Sequence, residues 1–273
     1  MSFQLIYQFG DLSDSSKINL NMGKIKTLIL FTFLTITIPE AWCNDGDKFS
    51  ATIAEGIDMI FTVLSETDKT CQVGSGQAFE PAISTSYLGS VTIPNSVNGY
   101  SVISIGSYSF HLCSNLNTAS IPTTIKKIGT NAFVQSGISN ISLPNTITEL
   151  SEGVFKSCRN LSSIELPNTI TAIDKDAFMG CDKLTSISLP NSITKIGEQA
   201  FYGCESLETI NIPNQIKDIG RYAFHSCGIK EIQIPASIRI INEATFFNCQ
   251  KLESITLPAS LYAIGNSAFE YCI

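Results

Sequence analysis

Eight phenylalanines return at an almost fixed interval, Phe110, Phe133, Phe155, Phe178, Phe201, Phe224, Phe246 and Phe269, separated by 23, 22, 23, 23, 23, 22 and 23 residues. A period in the low twenties is too short for a repeating pair of helices and fits one coil of a solenoid. Each coil is too small to bury its own apolar face, so the chain is expected to gain stability by stacking equivalent coils. Such a stack supplies an extended surface rather than an enclosed pocket, which directs the functional question toward binding.

One unit reads Leu184-Thr-Ser-Ile187-Ser-Leu189-Pro190-Asn-Ser-Ile193-Thr-Lys-Ile196-Gly197-Glu-Gln-Ala200-Phe201-Tyr-Gly-Cys204-Glu-Ser. Ile187 and Leu189 alternate with polar neighbours, as do Ile164/Leu166, Ile210/Ile212, Ile232/Ile234 and Ile255/Leu257, which predicts a short strand with one buried face. A proline ends that strand in every unit (Pro94, Pro122, Pro144, Pro167, Pro190, Pro213, Pro235, Pro258), because a residue without an N–H cannot continue an interior ladder. A second apolar pair follows, such as Ile193/Ile196, and then Gly106, Gly129, Ser151, Asp174, Gly197, Gly220, Asn242 or Gly265, types suited to a left-handed or turn conformation. A small residue precedes each phenylalanine and leaves room for an inward ring. One turn of short helix or 3₁₀ is expected there, on the side away from the strand.

This unit, with its Ile-x-Leu-Pro, Ile-Gly-x-x-Ala-Phe and Phe-x-x-Cys segments, resembles the BspA-like class of leucine-rich repeats, found in bacterial surface proteins and some parasitic protists. The resemblance runs over residues 89–273. It implies an α/β-type, mostly β leucine-rich-repeat solenoid, a right-handed superhelix of about eight 22–23-residue coils. It also implies adhesion to host matrix proteins or to other cells, and it carries no catalytic residues.

The domain reading is fourfold. Residues 1–21 carry no fold signal and read as a mis-assigned start ahead of Met22. Residues 22–43 combine Lys24 and Lys26 with an apolar run from Thr27 to Ile38 and a polar exit, the pattern of a secretory signal peptide too short for a comfortable span. Lipid attachment at Cys43 is disfavoured because Glu40 and Trp42 stand where a lipoprotein signal carries apolar and small residues. Residues 44–88 lack the repeat but contain strand-like runs at Ile57–Leu64, Thr70–Val73 and Ala82–Ser84, and are expected to form a β-rich cap over the first coil. That coil holds five extra residues, including Asn98-Gly99, which favours a tight hairpin turn. The last coil ends at Phe269-Glu-Tyr-Cys272-Ile273 without a polar capping segment, so the sequence reads either as a fragment or as a coil that pairs with something else.

Formal net charge is −7, and the first 43 residues hold three residues of each sign, so the imbalance belongs to the remainder. An acidic chain without a basic block is a poor nucleic-acid partner. Cys113, Cys158, Cys181, Cys204, Cys227, Cys249 and Cys272 share one slot, taken by Ser136 in the second coil. They recur once per coil, unlike zinc ligands, and a parallel ladder spacing of about 4.8 Å exceeds what a relaxed disulfide needs. Buried free thiols are expected. The two histidines, His111 and His225, follow the repeat phenylalanine in a slot that elsewhere holds Val134, Lys156, Met179, Tyr202, Phe247 or Glu270, so that slot reads as exposed and variable. Asp174 and Asp176 read as solvated turn residues. No nucleophile elbow, phosphate loop or dinucleotide fingerprint is present, and no enzyme activity, cofactor, metal or small-molecule substrate is indicated.

Residues alternating with the buried strand positions form two outward columns. One contains Thr118, Asn140, Ser163, Ser186, Thr209, Glu231 and Ser254, and the other Ser120, Ser142, Glu165, Ser188, Asn211, Gln233 and Thr256. The core of the candidate ligand face is Asn140, Ser142, Ser163, Glu165, Ser186, Ser188, Thr209, Asn211, Glu231, Gln233, Ser254 and Thr256. It is expected to meet a protein or glycan on a host or neighbouring cell surface. The competing expectation is a structural spacer of a larger surface protein, and a third is an exported enzyme working through the cap.

Overall fold

The alternation of buried isoleucine with polar neighbours does produce strands, and the prolines do end them. The computed structural model describes residues 44–272; the expected signal segment over residues 22–43 lies outside those residues. The described residues begin with β1 (Lys48–Thr52), β2 (Asp58–Ser65) and β3 (Thr70–Val73), joined antiparallel in that order. Then come β4 (Gly89–Thr92), β5 (Ser96–Val97) and β6 (Tyr100–Ile105). Antiparallel β5 and β6 are joined at Asn98 and Gly99, whose φ angles of 49° and 82° are those of the tight hairpin turn the Asn-Gly pair favours. Each later coil adds a strand before its proline and a two-residue strand after it: β7 (Leu116–Ser120) and β8 (Lys127–Ile128), β9 (Asn140–Ser142) and β10 (Glu149–Leu150), β11 (Ser163–Glu165) and β12 (Ala172–Ile173). The series continues with β13 (Ser186–Ser188) and β14 (Lys195–Ile196), β15 (Thr209–Asn211) and β16 (Asp218–Ile219), β17 (Glu231–Gln233) and β18 (Ile240–Ile241), β19 (Ser254–Thr256) and β20 (Ala263–Ile264).

Equivalent strands lie parallel and in register, so Ile141 meets Ile164, Ile187 meets Ile210 and Ile232 meets Ile255. On the second face Ile173 sits beside Ile196, and Ile196 beside Ile219. Between the two faces the proline carbonyl closes a turn, accepting from Ile170, Ile193 and Ile216 at 3.1 Å in three successive coils. Strand β3 joins the same order, pairing parallel with β6, which pairs with β8. Ile57–Leu64 and Thr70–Val73 correspond to β2 and β3. Ala82–Ser84 does not form a strand: the backbone bends there, and the Ala82 N–H donates to the Ser109 carbonyl, the bond that the repeat phenylalanines from Phe110 to Phe246 make to the coil after them.

The side opposite the strands corrects the helical expectation. No helix occurs among the described residues, so the solenoid is mostly β. Instead the residues two before and two after each repeat phenylalanine have positive φ, as at Gln199 (55°) and Gly203 (70°) flanking Phe201, in all eight coils. The N–H groups of those two residues and of the phenylalanine donate to carbonyls of the following coil, as in Gln199 to Arg221 (3.0 Å), Phe201 to Ala223 (2.8 Å) and Gly203 to His225 (2.8 Å). The intervening N–H groups bond within their own coil, as in Tyr202 to Gln199 and Cys204 to Phe201. Left-handed conformation is therefore placed at these flanking positions and not at the Gly106 to Gly265 slot, where the backbone passes close to the preceding coil.

Inside, the phenylalanines stack on one another. Successive ring centroids are 4.9–5.6 Å apart with interplanar angles of 3–23°, and the rings from Phe110 to Phe246 are fully buried. The residue before each ring is also buried, so a larger group there would collide with the core.

The two 22-residue intervals have a visible cause. After the core Cys or Ser slot the chain saves one residue by a direct turn at Gly137 or Gly228, where a Cβ would lie 1.9 Å from the Ser114 carbonyl oxygen or 2.2 Å from that of Glu205. Gly228→Ala is expected to cost about 3 kcal/mol, the upper end of ordinary overpacking. Gly203→Ala should cost only about 1 kcal/mol, because its φ of 70° is strained for a side chain but its Cβ would meet nothing closer than 4.0 Å. Urea unfolding of the two variants checks the order, and equal midpoints would remove the steric explanation.

Candidate ligand-binding face

Strands β9, β11, β13, β15 and β17 place one buried isoleucine between two exposed residues, and β19 does the same with a half-buried Ile255. All twelve residues of the expected face, Asn140 to Thr256, are exposed, and pairing in register aligns them as two columns. Thr118, at the start of the first column, is half-buried. Both carboxylates of the columns, Glu165 and Glu231, lie on this face, and no Lys or Arg does.

Many hydroxyl groups elsewhere on the coils are tied down. Thr169 Oγ1 donates to the Ile147 carbonyl at 2.7 Å, Thr171 Oγ1 to Thr148 at 3.1 Å and Thr194 Oγ1 to Thr171 at 3.2 Å, each bridging to the preceding coil. On the strand face the opposite holds. Among the described residues, Asn140 is the one member of the twelve whose side chain makes a hydrogen bond, to Ser139 Oγ at 3.3 Å, and the others are unengaged. An open recess of about 540 Å³ lies over β13, β15, β17 and β19, bordered by Ser186, Ser188, Thr209, Asn211, Glu231, Gln233, Ser254 and Thr256. Asn140, Ser142, Ser163 and Glu165 share the face but lie outside the recess.

The remaining candidate chemistry resolves into packing. All eight described cysteines are free, and seven are fully buried. Their thiols also donate hydrogen bonds: Cys158 Sγ reaches the Phe133 carbonyl at 3.0 Å and Cys227 Sγ the Phe201 carbonyl at 3.0 Å, one coil back in each case. Burial pushes the Cys158 thiol up to about 12. Sequence reasoning saw the apolar side of this slot and missed its donor role, although Ser136 in the same slot was a signal.

Asp176 is not a solvated turn residue. It is buried and paired with Lys156 at 2.8 Å, while Asp174 faces Lys195 at 3.6 Å. The histidine slot is also less open than expected. His111 is buried against Phe79 and Tyr108. His225 is stacked between Tyr202 (4.3 Å) and Phe247 (4.8 Å). Asn248 Nδ2 donates to Ser226 Oγ at 2.9 Å, and Ser226 Oγ shares a hydrogen bond of 2.9 Å with His225 Nδ1. Desolvation lowers the His225 pKa and so favours the neutral ring.

A family model for the BspA type leucine rich repeat region matches residues 81–185 and 171–273, with six copies. The chain belongs to the BspA-type leucine-rich-repeat family. Among solved structures, the leucine-rich repeat protein TpLRR of T. pallidum is similar, with 20% identity, 82% of this chain and 86% of that chain covered and a TM-score of 0.55. The pneumococcal vaccine antigen PcpA gives 19% identity, 84% and 75% coverage and a TM-score of 0.52. A leucine-rich repeat protein from Bacteroides ovatus gives 23%, 78% and 79%, and 0.47. No curated protein matches. The BspA-type match begins at residue 81, beside the Ala82 to Ser109 bond, so the repeat order reaches back of the first complete coil.

Proposed function

We propose that this chain is an exported, cell-surface binding protein that holds a protein or glycan of a host or neighbouring cell along its strand face, and that it is not an enzyme. The observation that carries this reading is a contrast in hydroxyl use: many Ser and Thr elsewhere on the coils bridge to the preceding backbone, whereas the aligned columns from Ser142 to Thr256 keep their donors and acceptors unspent. Aligned polar groups repeated about every 4.8 Å allow several weak contacts to act together on one extended partner. Family membership supports an interaction role, and export rests on the expected signal segment over residues 22–43, with residues 44–88 as the cap and 89–273 as the binding repeats.

The test is a screen of the full-length secreted protein against matrix proteins and glycans, repeated with Glu165→Lys, Ser188→Lys and Asn211→Lys combined. The triple variant should bind at least about tenfold more weakly, since like charges and lost partners at a contact cost well over 1.4 kcal/mol in sum. The fold should be kept because all three positions are exposed, with only a small drop in melting temperature from the two cations placed opposite each other at positions 188 and 211. No binding by the unmodified protein favours the spacer role, and full binding by the triple variant moves the site off this face.

A further inference from the structure

Within the recess the strand ladder is broken. Strands β13 and β15 pair, and β17 and β19 pair, but β15 and β17 do not form a ladder. The interval between them is one of the two 22-residue ones, shortened at Gly228, and the Lys230 N–H to Glu208 carbonyl bond that crosses it is long at 3.3 Å. Glu231 stands on this step as the one charged residue bordering the recess. Ile187, Ile210 and Ile232 form its floor and are 5–7% exposed. The adjacent Lys230 does not neutralise Glu231, since its Nζ is 2.7 Å from Glu208 Oε2. No other described side chain pairs with the Glu231 carboxylate.

A partner that fills this recess must deal with that carboxylate. Neutral sugar hydroxyls would satisfy Ser188, Asn211 and Gln233 and can donate to Glu231, but they leave its negative charge uncompensated. An anionic partner would meet an uncompensated like charge on a chain of net charge −7. A Lys or Arg side chain pairs with Glu231 directly, and a guanidinium does so through two parallel bonds. Asn211 and Gln233, in the neighbouring column, carry both amide donors and carbonyl acceptors suited to a peptide backbone. We infer that the recess on β13 to β19 is a subsite for a cationic side chain of an extended polypeptide, with Glu231 as its counter-ion. This rests on the strand-face reading and narrows its protein-or-glycan alternative to a basic protein segment.

The probes are hexa-arginine, hexa-glutamate and the neutral sugar cellohexaose, titrated into the isotopically labelled full-length protein and followed by amide NMR shifts. Hexa-arginine should shift resonances of β13, β15, β17 and β19 and lose about tenfold in affinity with Glu231→Gln, while Glu149→Gln, an exposed carboxylate on β10 away from this face, should change it less than twofold. Hexa-glutamate and cellohexaose should leave these resonances in place. Equal hexa-arginine affinity for wild type and Glu231→Gln, no hexa-arginine binding at all, or cellohexaose seated in the recess would each overturn the inference. A matrix-protein ligand that is lost in the triple Lys variant but indifferent to Glu231→Gln would leave the strand face standing and remove the cationic subsite.

Discussion

Phe201→Ala should lower stability by about 3–5 kcal/mol, the range for removing a fully buried aromatic ring. The ring lies between those of Phe178, 5.2 Å away at 8°, and Phe224, 5.4 Å away at 8°, so one truncation breaks two stacked contacts and opens a void in a column that has no other filling. In a solenoid the stability of each coil depends on the interfaces to its two neighbours, and weakening one coil weakens those on either side. Amide exchange should therefore quicken across the coils containing Phe178 and Phe224 as well as at the mutated coil. Phe269 makes a stacked contact with Phe246 alone and is half-buried, so Phe269→Ala should cost clearly less. Equal losses for the two variants in urea would contradict a stacked column as the source of cohesion.

Alkaline pH should unfold the protein steeply, with onset near the ordinary thiol pKa. Burial pushes Cys71, Cys113, Cys158 and Cys249 up to about 12, and raises Cys181 and Cys227 well above the ordinary value. The sign follows from proton binding: the folded state keeps protons that unfolded thiols release above about 8.5, so these groups leave stability unchanged below that pH and subtract from it as pH rises toward 12. Each such thiol removes about 1.4 kcal/mol per pH unit in that window, and four or more titrating together exceed a typical domain stability within two units. Urea midpoints between pH 8 and 11 measure the slope. Cys158→Ser keeps a donor for the Phe133 carbonyl, as Ser136 shows the slot allows, and should reduce the slope by one proton. A flat profile through pH 10.5 would mean the thiols are not shielded as the structure places them.

Most of the strand face could be read from the chain because its code is local. Isoleucine alternating with Ser, Thr, Asn or Glu and a following proline specify a short strand and its end, and both outward columns follow from period two alone. The opposite side could not be read that way. The left-handed positions hold Tyr108, Asn131, Gly153, Asp176, Gln199, Tyr222, Ala244 and Ser267, types with no shared turn preference, because bonds to a coil more than twenty residues away impose their conformation. The same distance hides the Lys156–Asp176 pair and the enclosure of His225. Strand β1, Lys-Phe-Ser-Ala-Thr, was missed for another reason: it packs only half-buried against β2 and shows little apolar contrast. The face was legible and its recess was not, since the space over β13 to β19 depends on how four successive coils lie against one another.

The three cross-coil N–H groups on the turn side all point toward the following coil, at every one of the seven interfaces from Tyr108 to Asn248. Their peptide dipoles therefore add along the stacking axis instead of cancelling as they do in a sheet. The back of the solenoid is electrically polarised lengthwise, positive in the direction of increasing residue number. A charged macromolecule lying against it would encounter a preferred heading, so the binding orientation of such a partner is set partly by main-chain electrostatics that no side-chain substitution can erase.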